Sequence, residues 1–194
     1  MDTIVFDIET KNFFTDPEVG KDNFEALRIS AVGVYSYLRD EYFCFDEFEL
    51  EKAAELFAAS SLLVGFSINR YDIPVLNLHF LRIGGISAID LWGKSRLDIL
   101  EEIELATGGR VSLDKLSRAN LGIGKDRKSH EAITLYENGE IEELKKYCLQ
   151  DVRLTKDLYD IYRRDRRLFV PDGKDGEMLT VDFKNKYASA SLLF

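Results

Sequence analysis

Cysteine, histidine and proline are all scarce in this chain, and each scarcity removes options. Cys44 and Cys148 are its two cysteines, both set among apolar residues. They read as core thiols of a reducing compartment, not as a disulfide or a metal-binding pair. Of the two histidines, His79 lies on an apolar helical stretch and His130 in a polar one. Neither has a second His or Cys at ligand spacing, so both read as structural residues. Three prolines in 194 residues, with no internal repeat and no low-complexity linker, suit one compact domain, and 45% hydrophobic residues can fill a sizeable core. No apolar run approaches the ~20 residues that span a bilayer, and the N-terminus lacks a basic segment followed by an apolar one. The expected location is cytoplasmic, with no membrane partner. Positive charge is also in deficit: 26 Lys and Arg against 35 Asp and Glu leave a net charge of −9.

What the chain does have is carboxylates in telling places. In Phe6-Asp7-Ile8-Glu9-Thr10, directly after the apolar run Ile4-Val5-Phe6, two acids sit two residues apart. On a strand, i and i+2 share a face, so Asp7 and Glu9 project side by side from a segment apolar enough to be buried. Ionised carboxylates crowded at the edge of a core want a cation, which suggests a divalent metal site. The competing reading is a solvated strand end. Residues 140–164 read as one long helix, with Ile141, Leu144, Cys148, Val152, Leu158, Ile161 and Tyr162 as core positions. It carries Tyr147 and Asp151 at i and i+4, on one face. Between these segments, Asp72 follows the strand-like run Val64-Gly65-Phe66 and precedes a helix with Pro74 in its first turn. By itself Asp72 reads as an N-cap.

Taken in order, Phe6-Asp7-Ile8-Glu9-Thr10, Asn69 to Asp72 opening a helix, and Tyr147-x-x-x-Asp151 resemble the three motifs of the DEDD superfamily of 3′–5′ exonucleases, in its tyrosine-bearing subclass. The histidine subclass would carry a His five residues before the last acid, where this chain has Lys146. Ser112-Leu113-Asp114-Lys115-Leu116-Ser117 followed by Asn120-Leu121-Gly122 and Lys125 is similar to the branch related to the proofreading domain of family-B DNA polymerases. The resemblance covers roughly residues 1–167. It implies a ribonuclease-H-like α/β fold and hydrolysis with two Mg²⁺ or Mn²⁺ ions bound by Asp7, Glu9, Asp72 and Asp151. Asp7 would be the shared ligand, Glu9 and Asp151 would complete the site nearer the attacking water, Asp72 would act through water on the second ion, and Tyr147 would orient the nucleophile.

The order of elements is compatible with that fold. Residues 3–8, 29–37 and 41–45 read as three meandering strands, 49–59 as a helix, 62–66 as a buried strand and 75–82 as a helix. A fifth strand is expected at 86–91, with 96–100 as a competitor, before mostly helical sequence. This gives a mixed sheet flanked by helices. A domain of residues 1–170 would be followed by an extension, 171–194, whose strand-like 178–183 and apolar Leu192-Leu193-Phe194 either close the domain's own sheet or mediate self-association, against the alternative of a disordered tail.

Two divalent cations would formally offset the four ligand acids, so the net charge limits a nucleic-acid partner without excluding it. Of the basic clusters, Lys125, Arg127 and Lys128, in a glycine-flanked stretch, are the expected phosphate contacts, joined by Thr10 and Asn69 from the motifs. Phe13 and Phe14 are candidates for contacting a substrate end, whereas Phe66 is expected in the core. A single-stranded or frayed 3′ end, DNA in the first instance, fits this charge better than a long duplex. The second reading is a scaffold module that keeps the fold without turnover.

Overall fold

The computed structural model describes residues 2–83, 88–125, 131–171 and 178–183. Five strands, β1 (Asp2–Thr10), β2 (Ile29–Ser36), β3 (Glu41–Asp46), β4 (Ser60–Gly65) and β5 (Ser95–Asp98), form one sheet in the order β3-β2-β1-β4-β5. The first three meander antiparallel, whereas β4 and β5 run parallel to β1. Among the described residues six α-helices accompany them: α1 (Leu50–Ala59), α2 (Asp72–Ile83), α3 (Ile99–Thr107), α4 (Leu113–Leu121), α5 (Glu131–Glu137) and α6 (Ile141–Asp165). The mixed α/β architecture expected from the sequence is the one observed.

Period-two alternation along β1 decides what each face meets. Ile4, Phe6 and Ile8 enter the core formed with α1 and α2, where Phe6 meets Phe57 edge-on at 4.9 Å. Val5 points the other way, into the core formed with α3, α4 and α6. Asp7 and Glu9 share Val5's parity and so face α6. All eight residues of β2 are buried, as a strand covered on both faces must be. Opposite the two acids it places small residues, Gly33 across from Asp7 and Ala31 across from Glu9. A Cβ at Gly33 would lie 2.8 Å from Cys148 Sγ and 2.9 Å from Val152 Cγ2, so this glycine allows α6 to lie close against the sheet.

The fifth strand is corrected. It is Ser95–Asp98, overlapping the competing 96–100, and Ile99 already begins α3. Within 86–91, residues 86 and 87 lie outside the described residues, 88–90 form no strand, and Leu91 opens a 3-10 turn. Asp98 enforces this boundary. Its carboxylate caps α3 through Leu100 N (3.1 Å) and Glu101 N (3.3 Å), and also accepts from Ser67 N (2.8 Å) and Asn69 N (3.0 Å).

After α6, β6 (Arg167–Pro171) and β7 (Met178–Asp182) form a separate two-stranded antiparallel sheet. Residues 178–182 therefore pair with β6, not with the five-stranded sheet, and the hairpin straddles the boundary expected at residue 170. Leu168, Val170, Val181 and Phe183 anchor it in the α6-side core. The outer edge of β6 is occupied by Asn120, whose carboxamide accepts from Phe169 N (2.9 Å) and donates to Phe169 O (2.8 Å). Residues 172–177, with Gly173 and Gly176, and 184–194, with the apolar Leu192-Leu193-Phe194, lie outside the described residues. Among the described residues no helix is long and apolar enough to cross a membrane.

Candidate active site

Strand β1 and helix α6 meet at a pocket of about 260 Å³ whose lining includes Asp7, Glu9, Thr10, Lys125, Tyr147 and Asp151. Strand parity supplies Asp7 and Glu9, Thr10 follows past the register shift at the end of β1, and helix periodicity places Tyr147 and Asp151 one turn apart on the face toward β1. Asp151 is 5% exposed and Tyr147 4%. Asp72 comes to the same region from behind. It is 5% exposed, does not line the pocket, and accepts the Ile8 N–H at 3.1 Å, so it ties the start of α2 to the strand between Asp7 and Glu9.

Four carboxylates gathered here, Asp72 and Asp151 buried and Asp7 and Glu9 half-buried, oppose one another's ionisation. Burial pushes Asp7 well above the usual carboxylate range, with Asp151, Asp72 and Glu9 adding repulsion and Lys125 opposing it. Glu9 is raised by burial and by Asp151, again against Lys125. Burial raises Asp72 to about 7, although the Ile8 N–H and its own backbone N–H favour its ionised form. Asp151 is raised by burial while Lys125 pulls it down. Lys125 is the local answer to this charge: its ammonium donates to Asp151. Burial alone would lower its pKa, but Asp151, Asp7 and Glu9 hold it above the ordinary lysine value.

A clustered, oxygen-rich donor set that one lysine only partly neutralises fits a hard divalent cation such as Mg²⁺ or Mn²⁺. One donor was not legible as such in the sequence. Cys148, read as a core thiol, is fully buried, yet its sulfur lies within 4.8 Å of ligand oxygens of Asp7 and Glu9. The thiol donates to the Asp7 carbonyl at 3.6 Å, and a hydrogen bond with Cys44 followed by burial pushes its pKa up.

The pocket's rim is aromatic. Phe13, Phe14 and Tyr71 line it, with Ile133 of α5 opposite. Phe14 is packed edge-on against Phe24 (5.0 Å) and Tyr71 (5.8 Å), while Phe13 is the more exposed of the pair. Phe66 packs against the α6-side core. Helix α5 is held over this end by Glu47, which pairs with Lys11 and accepts from Tyr136 Oη at 2.6 Å. No local pattern announces that three-residue link. Thr10 and Lys125 stand at the pocket. Asn69 does not: its amide donates to Glu101 at 2.7 Å and accepts from Arg96 at 3.1 Å, away from the lining residues. Arg127, Lys128 and His130 lie outside the described residues. His79 Nε2 meets the Leu27 carbonyl at 3.1 Å.

The raised carboxyl pKa values set a direction for stability. A carboxyl whose pKa is higher folded than unfolded binds more protons in the folded state, so folding becomes less favourable as pH rises from the unfolded value to the folded one. For Asp72 that window runs from 3.8 to about 7. Without divalent metal, Asp72→Asn should therefore gain melting temperature relative to the parent as pH increases across this window, and match it near pH 4. A parallel pair of melting curves across pH 4–8 would contradict the burial cost.

Comparison with known proteins agrees with this fold. No curated protein sequence matches the chain significantly. Among solved structures, the family B DNA polymerase from the hyperthermophilic archaeon Pyrobaculum calidifontis superposes with a TM-score of 0.64 at 18% identity. The match covers 84% of this chain and 24% of the polymerase chain, so this chain spans about a quarter of that protein. At such identity the likeness is one of fold. A family model for the RNase_H superfamily matches residues 4–163. That span runs from β1 through most of α6 and takes in all four acids and Tyr147, and the chain belongs to the RNase_H superfamily.

Proposed function

We propose that this chain is a metal-dependent 3′–5′ exonuclease that removes nucleotides from a single-stranded or frayed 3′ end, with DNA as the first substrate to test. The observation that carries this reading is the convergence of Asp7, Glu9, Tyr147 and Asp151 in one pocket, with Asp72 directly behind it. The pocket's modest volume and aromatic rim suit one terminal nucleotide better than a duplex.

Two Mg²⁺ or Mn²⁺ ions, when bound, would activate the attacking water and offset charge on the leaving 3′-oxygen. Asp7, Glu9 and Asp151 would hold them, and Asp72 would act through water while fixing the strand beneath. Tyr147 would orient the nucleophilic water as a positioned hydroxyl, since a phenol is a poor base at neutral pH. Lys125 would release Asp151 as metal enters and turn toward phosphate. The protein's share of the catalysis is then mostly orientation and charge placement.

The test is a labelled single-stranded oligonucleotide with Mg²⁺ or Mn²⁺. Mononucleotides should leave from the 3′ end, and a circular single strand should stay intact. Cuts in the circle would overturn the exonuclease reading, and a chain that binds metal without turnover would be the scaffold. Tyr147→Phe should slow release by ~10²–10⁴-fold while metal binding, read by calorimetry, is kept. If that variant matches the parent rate, Tyr147 is a packing residue.

A further inference from the structure

We propose that the Tyr71 hydroxyl determines specificity for the end of the substrate by accepting a hydrogen bond from the 3′-hydroxyl of the terminal nucleotide. This rests on the exonuclease reading above and adds the group by which the site recognises a free sugar end.

The assignment follows from counting protons. Thr10 Oγ1 lies 2.9 Å from the Asn12 carbonyl oxygen and 2.8 Å from Tyr71 Oη. A carbonyl oxygen can only accept, so the single Thr10 proton goes to Asn12. Tyr71 must then be the donor to Thr10, and a phenol has one proton to give. What remains on the Tyr71 oxygen is acceptor capacity, at a residue that lines the pocket beside Asp7 and Glu9. The ring cannot easily turn away. Phe14 meets it edge-on at an interplanar angle of 90°, and Phe24 meets Phe14 in turn at 82°.

An acceptor fixed in that place selects by chemistry. Phosphate oxygens at neutral pH accept and gain nothing from it, a base face stacks without a proton to offer, and base-edge N–H donors change position with the base, so the donor common to every terminal residue is the sugar hydroxyl. A sugar hydroxyl donates. A 3′-phosphate would leave the Tyr71 oxygen unpaired and bring negative charge beside the carboxylates, whereas a free 3′-hydroxyl satisfies it.

The experiment compares two oligonucleotides that differ only in the last residue, a 2′-deoxynucleotide or a 2′,3′-dideoxynucleotide, with the full chain and with Tyr71→Phe. The parent should release the dideoxy residue about tenfold more slowly, one hydrogen bond's worth. Tyr71→Phe should release both at the slower rate. The same loss of discrimination should appear in equilibrium binding followed by fluorescence anisotropy in Ca²⁺, and a melting temperature within a few degrees of the parent will show that the variant folds. A parent that ignores the 3′-hydroxyl, or a Tyr71→Phe variant that keeps the parent's preference, overturns the assignment while leaving the exonuclease reading intact. A parent that releases nucleotides from neither end overturns both.

Discussion

Asp7→Asn should reduce nucleotide release by more than about 10³-fold, beyond the ~10–100-fold that loss of an outer partner of a metal ligand costs, and at the same time raise the melting temperature of the metal-free protein. The two effects have one origin. Asp7 is the acid against which Asp151, Asp72 and Glu9 all press, and burial denies it water. Asparagine keeps the shape, removes the charge and relieves the repulsion, but it leaves a divalent ion without its central ligand. The informative measurement pairs a release assay with melting curves taken with and without Mg²⁺. The variant should melt higher than the parent without metal and gain less on adding it. Near-parental Mg²⁺-dependent release would sink the metal-site assignment.

Lys125→Met should do the opposite to stability. Lys125 and Asp151 side chains are only 19% and 6% exposed, so removing the ammonium strands a buried carboxylate among three others. Breaking such a pair costs roughly 3–5 kcal/mol. The sign with pH is definite. Asp151 is already raised, and without Lys125 its folded pKa rises further above its unfolded value. The loss is therefore present at high pH and disappears as acid protonates the carboxyl. Mg²⁺ or Mn²⁺ should restore more stability to Lys125→Met than to the parent, because the cation replaces the missing charge. Melting curves at pH 5 and pH 8, each with and without metal, read all four corners. Equal stability of variant and parent at pH 8 without metal would show that the pair contributes nothing.

Short-range geometry made much of this site readable from the sequence. Asp7 and Glu9 follow from a two-residue period, and Tyr147 and Asp151 from a four-residue one; each needs only the local backbone to be what its neighbours dictate. Partner choice over long separations was not readable. That Asp72 accepts from Ile8, 64 residues away, and that Lys125 pairs with Asp151 are outcomes of how α2 and α6 dock. Asn69 illustrates the converse. It stands in the motif, but Arg96 and Glu101, brought near by β5 and α3, claim its amide. The fifth strand was misplaced for a related reason. Ser95–Asp98 is a four-residue edge strand with Arg96 in it, and such a strand carries little apolar pattern. The more apolar 86–91 read as the better strand by composition alone.

Gly33 acts as a gauge for the pocket. Cys148 and Val152, the side chains a Cβ there would strike, each stand one residue along α6 from the residues that face the acids, Tyr147 and Asp151. Any side chain at position 33 would jack the helix off the sheet by tenths of an ångström, and Tyr147 and Asp151 would ride with it. Metal–oxygen bonds do not stretch to follow: Mg²⁺ holds its ligands at about 2.0–2.1 Å in near-ideal octahedral geometry. On the function proposed here, the aperture between strand and helix is machined to an ion's radius by a single hydrogen atom, contributed by a residue with no chemistry of its own.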